Sequence, residues 1–233
     1  MKKLGLIGGM GPESTTEYYK GIVYGFQNRL GVDNQFPELI IESIDIFKML
    51  SLCNSEQYDL LAQYLHNAVE HVYNSGAEFA ALAANTPHIV FDSIQKASPI
   101  PLISIVKATR DRVFDLGLKK VGLIGTKFTM QKDFFRAPFL EQSIDIYCPS
   151  KTNQAIIDRI IVDELERGVI TTQSHTSIVS IIENMIDEHG IEGIIIGCTE
   201  LPLIVKESDI KTIYLDTMQI HVNAIIDSML CEQ

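Results

Sequence analysis

The stretch Gly193-Ile194-Ile195-Ile196-Gly197-Cys198-Thr199-Glu200-Leu201-Pro202 decides how the rest of the chain is interpreted. Its apolar first half predicts a short buried strand, and Cys198 follows where that strand ends. Thr199 and Glu200 then predict a turn or the start of a helix. Backbone N–H groups and a helix N-terminus lower the pKa of a neighbouring thiol, so we expect a lowered pKa for Cys198.

Further short apolar segments alternate with helical segments along the whole chain. This alternation predicts parallel β-sheets built from right-handed crossovers. Ser14-Thr15-Thr16-Glu17 matches a capping box and predicts a helix from there to about Leu30. The preceding loop, Gly8–Pro12, lacks the last glycine of a dinucleotide-binding turn and the lysine of a P-loop. The predicted strands are Lys3–Ile7, Leu39–Ser43, Phe79–Ala83, Leu102–Ile105, Lys120–Ile124, Ile144–Tyr147, the opening stretch and Thr212–Leu215.

Two parts of the sequence recur in the same order and at nearly the same spacing. Lys3–Gly8 matches Lys120–Gly125, and Gly76–Thr86 matches Gly190–Glu200, including a shared glycine-x-glutamate start. The repeat indicates a duplicated unit. The predicted fold is therefore α/β with two pseudo-symmetric lobes, each a parallel sheet flanked by helices. Residues 1–98 with 216–233 form the first lobe, and residues 99–215 form the second.

Ligands of parallel sheets bind at the carboxyl ends of the strands. We therefore expect one active site in a cleft between the lobes, with position 84 facing position 198. The helix over Ser55–Asn74 is expected to be amphipathic and to end at Ser75-Gly76.

Charge and composition exclude several classes of partner. The chain has 233 residues and a net charge of -11, which argues against nucleic acid or an anionic membrane surface. No apolar run approaches the roughly 20 residues that span a bilayer. The four cysteines lie far apart, which fits reduced thiols in a cytoplasm, and the histidines show no metal-binding spacing.

Four motifs together resemble the cofactor-independent aspartate/glutamate racemase superfamily. They are Leu6–Thr15, Asn85–His88, Leu123–Thr126 and Gly197–Glu200. The resemblance covers nearly the whole chain and is strongest to the aspartate racemases and broad amino-acid racemases. It implies a homodimer without cofactor or metal that acts on aspartate or glutamate. It also implies two thiols on opposite faces of the substrate Cα, one removing the α-proton and the other returning a proton.

This chain departs from that pattern at Ala84, where both the resemblance and the internal repeat place the first thiol. Alanine neither donates nor accepts a proton, so we expect impaired inversion. Three explanations stay open: an engineered replacement of cysteine, a natural divergent member, or a different acid on the second face. Two alternative functions also stay open. They are a ligand-binding or regulatory protein on the same fold, and a single-thiol decarboxylase or isomerase of a related dicarboxylate.

Cys198 and Ala84 are accordingly the two predicted catalytic positions. Cys53 lies where relatives place a substrate-contacting side chain, although a packing role is favoured for it. His88 is expected to be structural. No metal site is predicted. The predicted substrate-binding residues are Met10, Gly11, Cys53, Asn85, Thr86, Thr126, Thr129, Glu164, Thr199 and Glu200.

Overall fold

The computed structural model describes residues 1–32 and 34–231. Within these residues the chain forms two four-stranded parallel sheets flanked by helices, which confirms the predicted α/β class. The chain divides into two compact units. The first unit comprises Met1–Ala108 and the segment from Met218 onward, and the second is Thr109–Thr217.

The sheet of the first unit has the strand order β2-β1-β3-β4. Its elements are β1 (Leu4–Gly8), α1 (Pro12–Leu30), β2 (Leu39–Ser43), α2 (Ile46–Asn54), α3 (Tyr58–Asn74), β3 (Phe79–Leu82), a 3₁₀ turn (Thr86–Val90), α4 (Phe91–Ala97), β4 (Leu102–Ile103) and α5 (Ile105–Asp115). Most of α5, residues 109–115, lies beyond the boundary at Ala108 and belongs to the second unit. The terminal helix of the chain also belongs to this unit, apart from its first residue.

The sheet of the second unit has the corresponding order β6-β5-β7-β8. Its elements are β5 (Lys120–Ile124), α6 (Lys127–Gln131), α7 (Asp133–Leu140), β6 (Asp145–Tyr147), α8 (Lys151–Arg159), a π-helical segment (Ile160–Glu164), 3₁₀ turns (Leu165–Arg167, Leu201–Leu203, Glu207–Asp209), α9 (Thr172–His189), β7 (Gly193–Ile196) and β8 (Ile213–Asp216). The chain then enters α10 (Thr217–Leu230). Isoleucines of α8, α9 and β7 supply much of the buried core of this unit.

The boundary between the units lies about ten residues later than the sequence suggests. The predicted second lobe began at residue 99 and so included the strand near Leu102. In the structure this strand is β4, and it pairs in parallel with β3, with Ala80 opposite Leu102. The backbone hydrogen bonds of β4 therefore assign it to the first sheet.

Two helix starts differ from the sequence-based expectation. The predicted capping box at Ser14 is wrong, because α1 already begins at Pro12 with Gly11 as its N-cap. The Ser14 hydroxyl instead donates to the Gly11 carbonyl at 3.0 Å. Similarly, the sequence predicts a helix over Gln154–Arg167, but α8 begins at Lys151, because the Ser150 side chain accepts from the Asn153 N–H.

The internal repeat is visible in the backbone hydrogen bonds of both sheets. The pairing of Leu4 with Phe79 in one sheet corresponds to that of Val121 with Gly193 in the other. The shared glutamate of the repeat has the same role in both units. The Glu78 carboxylate accepts from the Lys3 N–H at 2.8 Å, and the Glu192 carboxylate accepts from the Lys120 N–H at 2.9 Å. Each glutamate thereby ties the residue before β3 or β7 to the start of the neighbouring strand, β1 or β5.

Close packing between β1 and α3 leaves no room for a side chain at Gly5. A Cβ atom there would lie 2.4 Å from Cγ2 and 2.6 Å from Cβ of Val72. Because a β-branched side chain in a helix has one preferred rotamer, Val72 cannot turn away. We predict that Gly5→Ala lowers the free energy of unfolding by about 1–3 kcal/mol through overpacking. Urea denaturation followed by circular dichroism measures this change.

Gly21→Ala is the matched control. Gly21 lies inside α1, and a Cβ atom there would meet its nearest neighbour, Val222, at an ordinary 3.4 Å. The higher helix propensity of alanine should then leave stability unchanged or raise it by up to about 1 kcal/mol. Equal destabilisation by the two substitutions would contradict the packing account.

Candidate active site

Cys198 is placed by a backbone hydrogen bond at the end of β7. The Gly197 N–H donates to the Ile124 carbonyl at 2.7 Å, which extends the pairing of β5 and β7 by one residue. The two strand ends approach so closely that a Cβ on Gly125 would lie 2.9 Å from the Gly197 carbonyl oxygen. Glycine is therefore required at position 125, because a side chain there would collide with the Gly197 carbonyl oxygen. Cys198 is the residue that follows this close approach of the two strand ends.

The thiol of Cys198 is hydrogen-bonded to a carboxylate. Cys198 Sγ donates to Glu200 Oε2 at 3.0 Å, and Thr199 Oγ1 donates to the same oxygen at 2.8 Å. The Cys198 side chain is 8% exposed. The structure thus brings together three of the predicted site residues, Cys198, Thr199 and Glu200, in one hydrogen-bonded group.

The expectation of a lowered pKa for Cys198 is wrong. Burial and the adjacent Glu200 carboxylate raise the pKa of this thiol well above its usual value, and the Glu166 carboxylate raises it further. A hydrogen bond from the Glu200 backbone opposes this shift. The residues after Cys198 form only the short 3₁₀ turn Leu201–Leu203, so the α-helix N-terminus that would favour a thiolate is missing from this position. Cys198 therefore rests as a neutral thiol.

Sequence reasoning missed Glu166, a second carboxylate near the thiol. It lies in the 3₁₀ turn Leu165–Arg167, on an exposed part of the chain. Desolvation and the charges of Glu200 and Asp158 raise the pKa of Glu166. A π-helical segment precedes Glu166, and its wider turn changes the direction in which the following side chains point. No motif in the sequence predicts such a segment.

Glu164, the residue that the sequence did select in this region, is engaged by α9. Ser174 Oγ donates to Glu164 Oε2 at 2.5 Å, and Thr171 Oγ1 donates to Ser174 Oγ at 3.0 Å. These contacts join the π-helical segment to the first turn of α9. Glu164 therefore has a structural partner of its own.

Thr126 and Thr129 lie at the end of β5. Thr126 is the N-cap of α6 and its Oγ1 accepts from the Thr129 N–H at 3.4 Å. Thr129 is buried, and its methyl and Cβ lie under the two glycines of the strand ends, at 3.4 Å from a Cβ on Gly197 and 3.5 Å from one on Gly125. Thr129 therefore packs against the two strand ends. Thr126 is half-buried and is the more accessible of the two threonines.

The loop after β3 carries Ala84, Asn85 and Thr86. Ala84 is half-buried and stands two residues past β3, as Cys198 stands two residues past β7. The Ala83 N–H donates to the Ile7 carbonyl at 2.9 Å, which repeats the Gly197 contact of the second unit. Asn85 is buried, and Thr86 begins the following 3₁₀ turn. Position 84 is thus the structural counterpart of position 198 within its own sheet.

His88 is structural, as expected. Its Nε2 accepts from the Ile105 N–H at 3.2 Å, so its Nδ1 carries the proton and donates to the Ala84 carbonyl at 3.0 Å. Its ring stacks on Phe91 with a centroid distance of 5.0 Å. Burial is the main cause that lowers the pKa of His88 to about 3. The imidazole is neutral, and it holds the loop through the backbone carbonyl of Ala84.

Met10 and Gly11 lie in the loop after β1. Met10 is buried, and Gly11 has a φ of 125°, which favours glycine. Gly9 is fixed by its N–H, which donates to Thr15 Oγ1 at 2.9 Å. A cavity of about 480 Å³ opens beside this loop, at the carboxyl ends of β1 and β2. It is lined by Gly9, Pro12, Thr15, Thr16, Tyr19, Ile41 and Ser43, and thus by neither Met10 nor Gly11.

Cys53 lies in the core of the first unit rather than on that cavity. Its side chain is 1% exposed, and its Sγ donates to Met49 Sδ at 3.6 Å. Burial raises the pKa of Cys53 to about 11. The structure therefore gives this thiol the packing role that the sequence favoured.

Three general features complete the description of residues 1–32 and 34–231. In this part of the chain no three His, Cys, Asp or Glu side chains are grouped so that they could hold a metal ion. Its cysteines are all free thiols, with Cys231 exposed and Cys148 half-buried. None of its helices is both long and apolar enough to cross a membrane.

The chain is similar to several proteins of known structure or sequence. A protein from Yersinia pestis proposed to be an Asp/Glu racemase is 35% identical, with 99% of this chain and 100% of that chain covered and a TM-score of 0.93. An aspartate racemase homologue from Pyrococcus horikoshii OT3 is 37% identical, with 98% and 99% covered and a TM-score of 0.87. The broad specificity amino-acid racemase RacX of Bacillus subtilis is 24% identical over 230 residues, which are 98% of this chain and 93% of RacX.

These similarities define an isomerase that acts on amino acids. Residues 7–225 match the Asp/Glu/hydantoin racemase family, and the chain belongs to that family. The match includes both units and both strand ends described above.

A second buried histidine lies near His88 in the first unit. His221 Nε2 donates to the Ile103 carbonyl at 3.0 Å, and its Nδ1 accepts from the Tyr18 hydroxyl at 2.9 Å. Burial lowers the pKa of His221 to about 4. Both imidazoles are therefore neutral in the folded chain at pH values where they would be protonated in the unfolded chain.

This pair predicts a loss of stability in mild acid. As the pH falls below about 6.5, the unfolded chain binds protons at both histidines while the folded chain does not. Each histidine should therefore lower the free energy of unfolding by about 1.4 kcal/mol per pH unit. The loss should continue to about pH 4 for His221 and about pH 3 for His88.

Urea denaturation between pH 6.5 and 4.5 measures the slope. His221→Gln should remove about half of the histidine contribution, and His88→Gln should do the same if the first variant folds poorly. His71→Gln, at an imidazole whose side chain is 65% exposed and contacts Glu42 at 2.9 Å, is the control and should change the slope less than either buried-histidine variant. A native slope in both buried-histidine variants would show that these groups do not cause the acid sensitivity.

Proposed function

We propose that this chain catalyses proton exchange at the Cα of an acidic amino acid, without a cofactor, with Cys198 as the acid/base group. The observation that supports this most is the position of Cys198, two residues past β7 and hydrogen-bonded to Glu200. A thiol and a carboxylate at the carboxyl end of a parallel strand are suited to proton transfer. Membership of a racemase family indicates which proton is transferred.

Aspartate or glutamate is the proposed substrate. Relatives named as racemases of aspartate and of glutamate support this choice. With a net charge of -11, the chain must hold a dicarboxylate by local donors rather than by its overall field. We assign this role to side chains and amides of Asn85, Thr86, Thr126 and Thr199, with Met10 and Gly11 contributing backbone.

Ala84 limits the reaction that we propose. It occupies the position in the first sheet that Cys198 occupies in the second, and its methyl group carries no exchangeable proton. Exchange through Cys198 alone occurs on one face of the substrate and retains its configuration. Inversion requires a proton donor on the other face, which a thiol at position 84 would supply.

A second candidate is a protein that binds an acidic amino acid without turning it over. Two observations favour it: Ala84 lacks a thiol, and the pKa of Cys198 is raised. Binding without exchange by the native chain would select this function. We further propose a cytoplasmic homodimer, since the thiols are free and the family resemblance implies a dimer.

The test is to incubate each enantiomer of aspartate and glutamate with the chain in D₂O. We expect slow α-deuteration with retained configuration, measured by NMR and chiral chromatography. Ala84→Cys should raise the rate of inversion by about 10²–10⁴-fold, because it supplies the missing acid/base group.

Cys198→Ala should abolish exchange, whereas Cys231→Ala, at an exposed thiol outside the site, should leave it unchanged. Absence of exchange in both the native chain and Ala84→Cys would overturn the racemase proposal.

A further inference from the structure

One oxygen of Glu200 accepts two protons that other side chains donate. The thiol of Cys198 lies 3.0 Å from Oε2, and the hydroxyl of Thr199 lies 2.8 Å from the same atom. A carboxylate oxygen has lone pairs that can accept from two such donors at once. The proton of the thiol is therefore already directed at a base.

The surroundings of the thiol disfavour a free thiolate. Cys198 is almost fully buried, and the carboxylates of Glu200 and Glu166 both raise the pKa of its thiol. The charge of Asp158 raises the pKa of Glu166 further. The cation Arg167 lowers the pKa of Glu166, but its guanidinium lies 3.8 Å from a different carboxylate, that of Asp163. A mechanism that begins with a thiolate would work against all of these charges.

We propose that Glu200 is the proton acceptor behind Cys198 and that the thiol acts as a relay. As the Cα–H bond breaks, its proton forms a new S–H bond, and the original S–H bond breaks as its proton passes to Glu200 Oε2. The electron pair of the Cα–H bond stays on the substrate as an enolate-like carbanion. Once the proton on sulfur has exchanged with solvent, reprotonation runs the same steps in reverse and restores the carboxylate and the thiol.

This inference rests on the proposed function and deepens it. The sulfur stays neutral on both sides of the step, so the buried acidic surroundings oppose the relay less than they oppose a thiolate. Because Glu200 acts through Cys198, it is a positioning residue for proton transfer. Thr199 helps to hold Oε2 in line with the thiol.

Glu200→Gln distinguishes a relay from a purely electrostatic role. If Glu200 only raised the pKa of Cys198, its removal would produce more thiolate and faster exchange. If Glu200 accepts the proton, exchange at pH 7 should fall by about 10²–10⁴-fold, the usual contribution of a general base. The remaining exchange should rise steeply at alkaline pH, where the thiol of the variant ionises by itself.

The measurement is α-deuteration of aspartate and glutamate in D₂O as a function of pH. Glu183→Gln is the matched control, because its exposed carboxylate accepts from Lys211 rather than from a thiol. Its pH profile should equal that of the native chain. Exchange by Glu200→Gln at pH 7 that equals or exceeds the native rate would overturn the relay.

A second measurement does not depend on activity. The pH dependence of Cys198 alkylation by iodoacetamide, followed by peptide mass spectrometry, reports on its contact with Glu200. The midpoint should move to lower pH in Glu200→Gln and stay unchanged in Glu183→Gln. If neither the native chain nor Ala84→Cys exchanges any substrate, the proposed function and the α-proton step both fail. In that case a shifted midpoint still supports the thiol–carboxylate pair, and an unshifted midpoint overturns it.

Discussion

The candidate site depends on one backbone hydrogen bond beyond the end of each central strand pair. In the second unit the Gly197 N–H bonds to Ile124, and in the first unit the Ala83 N–H bonds to Ile7. Each bond carries the parallel ladder one residue past the strand, so the next residue leaves the sheet at a fixed point. That next residue is Cys198 in one unit and Ala84 in the other. The side chains around it therefore act on a position that the backbone has already determined.

The chemistry of Cys198 follows from what surrounds this fixed point. A helix N-terminus or a cation would favour a thiolate, whereas this thiol meets a short 3₁₀ turn, a hydrogen-bonded carboxylate and a second carboxylate nearby. Burial acts in the same direction. The resting group is therefore a neutral thiol that is hydrogen-bonded to a carboxylate, an arrangement that suits the proton transfer we propose better than nucleophilic attack by sulfur.

The fold was largely predictable from sequence because its signals are local and repeated. The short apolar runs form strands, and the helical periodicity of Tyr58–Asn74 forms α3. The glutamate of the glycine-x-glutamate repeat makes a backbone contact, as Glu78 does with the Lys3 N–H. The pKa of Cys198 and the roles of Glu164 and Glu166 were less predictable. They depend on a π-helical segment and on residues more than thirty positions away along the chain, so no local pattern encodes them. The start of α1 was predicted wrongly for a different reason. Gly11 takes the N-cap position and Pro12 begins the helix, so Ser14 lies inside the first turn.

The two units fix their loops by different means, and this difference bears on the missing thiol. In the second unit two glycines in close approach set the path of the chain, and the Cys198 side chain itself takes part in the hydrogen bonding. In the first unit His88 holds the loop through the carbonyl of residue 84, a group that every amino acid has. The fixation of this loop is therefore independent of the side chain at position 84. Any residue at position 84 would therefore be presented by the same backbone, and alanine there changes the chemistry of the loop without changing its path.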